Sequence, residues 1–402
     1  MTTEVLIADL LLPGAAGEAV HDGAVHVAEG VIAAVGPVRD VLADVGPTVL
    51  RRRVRGTLLP GLIDSHVHLS FDAGSDPVGS LLDQDDEVLF AHMAARARAL
   101  LDSGVTTVRD LGDRSGLAIR LRESAGLLPR ILSATAPITV PGGHCWFFGG
   151  EVAGVEQMRA RVRRNVRDGA DLIKIMVTGG YLTPGGPSMS ELQFSQEEIG
   201  AAVAEAHSAG KPVAAHAHSV TGIRAALAAG VDTIEHCSFV SDDGTERKSV
   251  FRADLARELV ERGTFVCPTF SSAFTHIADS QDRAVIQPWL DLVRQQHEAG
   301  VRLIAGTDAG VPFAGFGDYV EGLRWFSRAG LPNEVVLEMA TTTAAAALGL
   351  AERTGRIAPG FAADLLVVDG DPRLDLDALA RPELVLVQGE PHVPRRSRAT
   401  AL

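Results

Sequence analysis

The chain has 402 residues, 46% of them hydrophobic, which is more length than one typical domain uses and ample apolar material for a large core. Its formal net charge of −14 lacks the basic surface that phosphate-backbone binding needs, so no nucleic-acid partner is expected. Cys145, Cys237 and Cys267 are far apart and show no CxxC spacing, which excludes a disulfide framework and a thiolate zinc site.

The N-terminus carries no basic segment ahead of its first apolar run, and no apolar run reaches the roughly 18 residues needed to span a bilayer. The expectation is a cytoplasmic protein without a signal peptide or a membrane partner. Val5 to Leu12 is the first apolar run. Ala24–Val27 and Val31–Val35 flank the turn residues Ala28, Glu29 and Gly30, which is a hairpin signal. No helix is expected before Asp64.

From there the pattern changes to short apolar runs with polar ends, alternating with helical segments. The expected strands are Leu58–His68, Thr106–Leu111, Arg130–Ala136, Asp171–Thr178, Pro212–His218, Thr233–Cys237, Thr264–Thr269 and Arg302–Asp308. Helical periodicity marks Glu87–Leu101, Gln157–Arg167, Glu197–Ser208, Arg252–Arg262 and Arg283–Glu298. Gly104, Gly169, Gly210, Gly230, Gly263 and Gly300 close segments ahead of strands, as left-handed caps do. Eight strand–helix units read as an α/β fold, a (β/α)8 TIM barrel over residues 57–350; a doubly wound open sheet is the alternative. Residues 1–56 and 351–402 return to strands, including Leu384–Gln388, and each is too small to bury a core alone. They are expected to pack together as a small β-sandwich formed by the N- and C-terminal segments. The Arg-rich tail after Pro391 is expected to fray.

The chemistry sits at strand ends. His66 and His68 are two apart on the first barrel strand, so they share a face and project to the barrel mouth. Two satisfied core histidines would be the structural alternative. His216 and His218 end the fifth strand, His236 the sixth and Asp308 the eighth. Histidine or aspartate at one end of four strands favours a metal site, because neutral imidazole is a common zinc ligand. Alternation on the fourth strand puts Leu172, Lys174 and Met176 on the barrel side. A bare ammonium among metals is disfavoured, so Lys174 is either a neutral amine, a carbamate made with carbon dioxide, or a side chain snorkelling to solvent.

These residues carry a resemblance. The chain resembles the amidohydrolase superfamily over nearly its whole length, through His66-Val-His68 after Pro60-Gly-Leu-Ile-Asp, Lys174, the later histidines and Gly306-Thr-Asp308. The ending Gly360-Phe-Ala-Ala-Asp-Leu-Leu-Val-Val-Asp is also similar. Ile173-Lys-Ile-Met with Thr178-Gly-Gly and Gln193-Phe-Ser is similar to the imidazolonepropionase-related group that includes metal-dependent Xaa-Pro and Xaa-Arg dipeptidases. The resemblance implies two divalent metal ions, with zinc the expected identity. His66, His68 and Asp308 would hold the more buried one, and His216 and His236 the other. N6-carboxylated Lys174 and a hydroxide would bridge them. His216 is preferred to His218 as ligand because related members often read HAY here; His218 then polarises the substrate carbonyl or binds the oxyanion.

The same resemblance places His144, in Pro141-Gly-Gly-His144, at the carboxylate of a substrate. Trp146, Phe147 and Phe148 either line an apolar side-chain pocket or pack under the loop. Tyr181 reaches the substrate or packs in its loop. Arg109 binds an anion or forms a structural network with Asp110. The expected reaction is hydrolysis of an amide bond in a dipeptide or N-acyl amino acid, with Asp308 moving the proton to the leaving nitrogen. No GxSxG elbow suggests a serine nucleophile. A deaminase or cyclic-amide (imidazolone-like) hydrolase on the same fold, and a non-catalytic scaffold, are the rival readings. The sequence is compatible with a homo-oligomer.

Overall fold

The computed structural model describes residues 3–14, 18–242, 249–280 and 285–395. The two ends of the chain share one seven-stranded sheet. It is built from β1 (Glu4–Leu11), β2 (Val20–Ala28), β3 (Val31–Pro37) and β4 (Leu50–Pro60), joined later by β13 (Leu365–Val368), β14 (Pro382–Val387) and β15 (Glu390–His392). β4 is the seam: it runs parallel to β1 and antiparallel to β13. One apolar cluster collects side chains from both ends of the chain, among them Leu6, Val25, Leu58, Leu365, Val367 and Leu386. Neither end could bury these residues alone, which is why the chain must return to its start. The hairpin at Glu29-Gly30 forms as expected, with Val27 opposite Ile32.

Between these ends lie, among the described residues, eight strands that run parallel to their neighbours. They are β5 (Leu62–Val67), β6 (Val105–Asp110), β7 (Arg130–Ser133), β8 (Ile173–Met176), β9 (Val213–Ser219), β10 (Thr233–Val240), β11 (Phe265–Cys267) and β12 (Arg302–Leu303). β5, β6 and β7 form one parallel sheet, and β8 to β12 another. The edges of the two sheets touch at both sides. Ile138, just past β7, pairs with Ile175 of β8, and Val67 of β5 pairs with Ala309, just past β12. Helices connect the strands, including Asp86–Asp102, Val155–Arg167, Gln196–Ser208, Ala253–Arg262 and Gln287–Glu298. Gly230 and Gly263 cap their helices with φ of 84° and 69°, the left-handed turn a Cβ would oppose.

Two local expectations change. A short helix, Val38–Ala43, precedes Asp64; its Val41 is buried with Val5 and Ile7 on one face of the terminal sheet. The first parallel strand begins at Leu62 instead of Leu58, because Leu58 and Leu59 still pair with Val367 and Leu366. Gly61 marks the handover: a Cβ there would meet Thr106 Oγ1 at 2.2 Å. Arg395 is the last described residue of the Arg-rich tail, and residues 396–402 lie outside the described residues. Among the described residues no helix is long and apolar enough to cross a membrane.

Candidate active site

The C-terminal ends of these parallel strands open onto one cavity of about 350 Å³. His66, His68, His144, Lys174, Tyr181, His216, His218, His236 and Asp308 all line it. The alternation expected on β8 and β9 holds, since Lys174 and Met176, and His216 and His218, face the cavity together.

Two donor groups face each other there. His66, His68 and Asp308 form one, and His216, His218 and His236 the other, each with its donor atoms within 4.8 Å of one another. His66 Nε2 and His68 Nε2 lie 3.2 and 3.4 Å from Asp308 Oδ1. That oxygen is buried and, among the described residues, accepts no hydrogen bond of good geometry. The groups adjoin, with the His66 and His236 rings 5.3 Å apart. Lys174 Nζ is also buried and has no hydrogen-bond partner among the described residues. Buried polar atoms are ordinarily paired, so an orphaned amine beside an orphaned carboxylate oxygen fits a centre completed by cations.

The outer contacts orient each ring. His66 Nδ1 lies 2.9 Å from Glu235 Oε2, His68 Nδ1 3.3 Å from the Gly112 carbonyl, and His236 Nδ1 2.9 Å from Thr269 Oγ1. His216 is reversed: its Nε2 lies 3.0 Å from the Gly179 carbonyl. Each imidazole thus keeps one nitrogen for the cavity, the arrangement that fixes tautomers in metal sites. Burial lowers the pKa of His68 and His218 to about 3 and of His144 to about 4, and holds His216 and His236 well below the usual value. These rings are therefore neutral, the form that binds metals. His66 differs: burial opposes its charge, but Asp308 and Glu235 outweigh it and raise its pKa. Burial lowers the Lys174 amine to about 8, with Glu235 and Asp308 acting in the other direction.

Backbone strain helps to aim these side chains. On β10, Glu235 points inward with Thr233, so alternation would turn His236 outward. His236 has φ 67° and Cys237 φ 48°, and this break in the strand returns the ring to the cavity. Thr269 and Asp308 have φ of 60° and 58°. Such conformations persist only where surrounding structure holds them. Asp64 supplies part of that support. It is fully buried, accepts from Thr307 Oγ1 at 2.6 Å and from the Thr307 amide at 3.0 Å, and so ties β5 to the segment before Asp308.

Arg109 requires correction as a substrate contact. It does not line the cavity and is only 2% exposed. Its guanidinium is committed beneath the site, to Glu235 Oε1 at 2.8 Å, Thr233 Oγ1 at 3.0 Å and the Ser65 carbonyl at 2.6 Å. Its partner is Glu235 rather than Asp110, which instead accepts from the Leu69 and Gly112 amides. Sequence reasoning missed Glu235; the signal was an acid two residues after Thr233, on the same face of a buried strand. A third donor group, His66, Glu235 and Cys267, is the floor of this network. Burial pushes the Cys267 thiol well up, and Glu235 is already shared between Arg109 and His66. Glu235→Gln should therefore cost about 3–5 kcal/mol in urea unfolding, since Arg109 is left uncompensated. A loss below about 1 kcal/mol would contradict that role.

His144 reaches the cavity on the loop after β7. Gln193 holds that loop, accepting from the His144 amide at 2.7 Å while its own Nε2 donates to the Met176 and Thr178 carbonyls. Gly180 leaves room for the ring, since a Cβ there would meet His144 Nε2 at 2.6 Å. Tyr181 stands exposed at the cavity mouth. Trp146, Phe147 and Phe148 do not line the cavity; Phe147 and Phe148 pack on Phe71 behind His68. The apolar wall comes instead from the connection after β11, through Phe270, Phe274, Trp289 and their neighbours.

Known proteins resemble the chain over most of its length. The chain is 27% identical to ochratoxinase from Aspergillus niger over 95% of its own length and 84% of the relative's. It is similar to the crystal structure of a Xaa-Pro dipeptidase with bound methionine in the active site, with a TM-score of 0.84 and 28% identity over 98% of this chain and 100% of that one. A prolidase complexed with N-methylphosphonate-L-proline matches at a TM-score of 0.83 and 28% identity, again over 98% and 100% of the two chains. The model of the amidohydrolase family matches residues 57–392, most of the sequence, and the chain therefore belongs to that family.

Proposed function

We infer that this hydrolase cleaves the amide bond of a dipeptide or N-acyl amino acid at a centre of two divalent cations. The observation that carries the reading is the buried Lys174 amine, unpaired among the described residues, in one cavity with two adjoining donor groups. On this reading the eight parallel strands act as a closed (β/α)8 barrel over about residues 57–350, and the terminal sheet takes the place of a small β-sandwich. His66, His68 and Asp308 would hold one cation, and His216 and His236 the other, with zinc the metal that imidazole and carboxylate donors suit. Lys174 would join both as its carbamate: the neutral amine adds to carbon dioxide with loss of a proton, which replaces a disfavoured buried ammonium with an anion.

Bound cations of this kind supply a water of lowered pKa and polarise the scissile carbonyl. The rest falls to the chain's own residues. Asp308 takes the proton of the attacking water at its carboxylate and delivers it to the leaving nitrogen, because an amine leaves poorly unprotonated. Ser238 Oγ lies 2.9 Å from His218 Nδ1, and donation from that hydroxyl leaves the proton on Nε2, aimed at the developing oxyanion. His144 receives the substrate carboxylate, with Tyr181 beside it at the mouth. Closeness to Xaa-Pro dipeptidase and prolidase structures supports a substrate of this size and charge. Cysteine catalysis has no support, because Cys145, Cys237 and Cys267 are all buried with raised thiol pKa values.

Zinc-loaded protein, supplied with bicarbonate, should hydrolyse members of a library of dipeptides and N-acyl amino acids. Turnover confined to a cyclic amide or an exocyclic amine would replace this substrate class with that of the imidazolone-type hydrolases or deaminases.

A further inference from the structure

One wall of the cavity is an apolar lobe that the reaction itself does not need. It is made by Phe270, Phe274, Ile277, Trp289, Leu292 and Val293. The aromatic members interlock edge to face, Phe270 with Phe274 at 4.7 Å and Phe274 with Trp289 at 5.6 Å. Trp289, Leu292, Val293 and residue 296 recur at the helical spacing that presents one face of the helix Gln287–Glu298. The fourth position of that stripe is Gln296, which also lines the cavity and is 1% exposed.

Gln296 is a polar group among apolar ones. Its Nε2 donates to the Cys237 carbonyl at 3.1 Å, and Cys237 does not line the cavity. That bond fixes the amide orientation, because the opposite one would set oxygen against oxygen. Gln296 Oε1 is thereby left buried without a hydrogen-bond partner among the described residues. An unpaired buried acceptor is costly, and its position in a cavity wall supplies a reason for keeping it.

The position of the lobe also assigns it to one half of the substrate. His144 follows β7, the lobe follows β11, and His216 and His236 of β9 and β10 lie between. A carboxylate at His144 and a scissile bond at the histidines leave the acyl side pointing at the lobe. We propose that the substrate's acyl half carries an aromatic group with an O–H or N–H donor on its far edge, seated in this lobe and donating to Gln296 Oε1. This rests on the site being an amide hydrolase with His144 at the carboxylate; the acceptor role of Gln296 is tested separately below.

The test compares N-(para-hydroxyphenylacetyl)-alanine with N-phenylacetyl-alanine on zinc-loaded wild type and Gln296→Met, which keeps the volume of the side chain. The wild type should prefer the hydroxylated substrate about tenfold in kcat/KM, and the variant should show a ratio of about one. Calorimetric binding of para-hydroxyphenylacetamide against phenylacetamide should give the same two ratios without turnover. Ratios taken within one protein cancel any loss of folded fraction. Absence of turnover by either protein would count against the N-acyl amino-acid reading, while the binding ratio would still decide the role of Gln296. A hydroxyl preference absent from the wild type, or equal in both proteins, would overturn the proposal.

Discussion

Lys174→Met should lower turnover by about 10³-fold or more while leaving the fold at least as stable as wild type. The two halves of that expectation have different origins. Methionine fills nearly the same volume and removes a buried amine that has no hydrogen-bond partner among the described residues, so the packing cost is small and a desolvation cost disappears. Activity falls because the group joining the two cations is gone, and cation-assisted stabilisation of the transition state is worth several kcal/mol, at about 1.4 kcal/mol for each factor of ten. Bound metal should drop from two per chain to one. The pair of readouts, turnover with metal content and urea unfolding, separates this role from a structural one: a merely structural lysine would lose stability along with activity. Unchanged turnover and metal count would end the bridging role.

Asp308→Asn should reduce kcat on the order of 10³-fold with KM little changed, since general acid–base catalysis typically contributes about 10²–10⁴-fold. Asparagine is the informative replacement for a backbone reason. Asp308 has φ 58°, and asparagine tolerates the left-handed region better than most side chains. The variant therefore keeps the local backbone while losing the carboxylate that takes and returns the proton. His66 and His68, which approach Asp308 Oδ1, should also lose affinity for their cation, seen as easier removal by a chelator. A loss expressed wholly in KM would mean that Asp308 binds substrate instead of moving a proton.

Much of this cavity was legible in the sequence because its polar residues sit at the ends of parallel strands. The i, i+2 spacing of His66 and His68, and of His216 and His218, follows directly from the pleat, and the cavity holds all four. Lys174 faced inward by the same rule. His236 is where the rule stops working. Its neighbour Glu235 takes the inward position, and only the positive φ at His236 and Cys237 brings both side chains to the interior. No period-two reading can anticipate such a break.

Arg109 was misread for a related reason. Its sequence neighbour Asp110 suggested a partner, whereas the partner that folding supplies, Glu235, is 126 residues away. The apolar lobe was hidden as well. Helical periodicity over Gln287–Glu298 marks a scaffold helix equally well whether its apolar stripe faces a sheet or a substrate. The one clue was Gln296 in the stripe, a polar residue where an apolar one would pack better.

The central claim is that five strands converge their donors on two cations. Anomalous diffraction at the zinc edge, from crystals of zinc-loaded protein, tests it most directly. Two peaks are predicted in the one cavity, the first among His66, His68 and Asp308 and the second at His216 and His236, with Lys174 density lengthened toward both. Crystals that show no peak there after zinc loading, or density only at the His66, Glu235 and Cys267 group, would contradict the account.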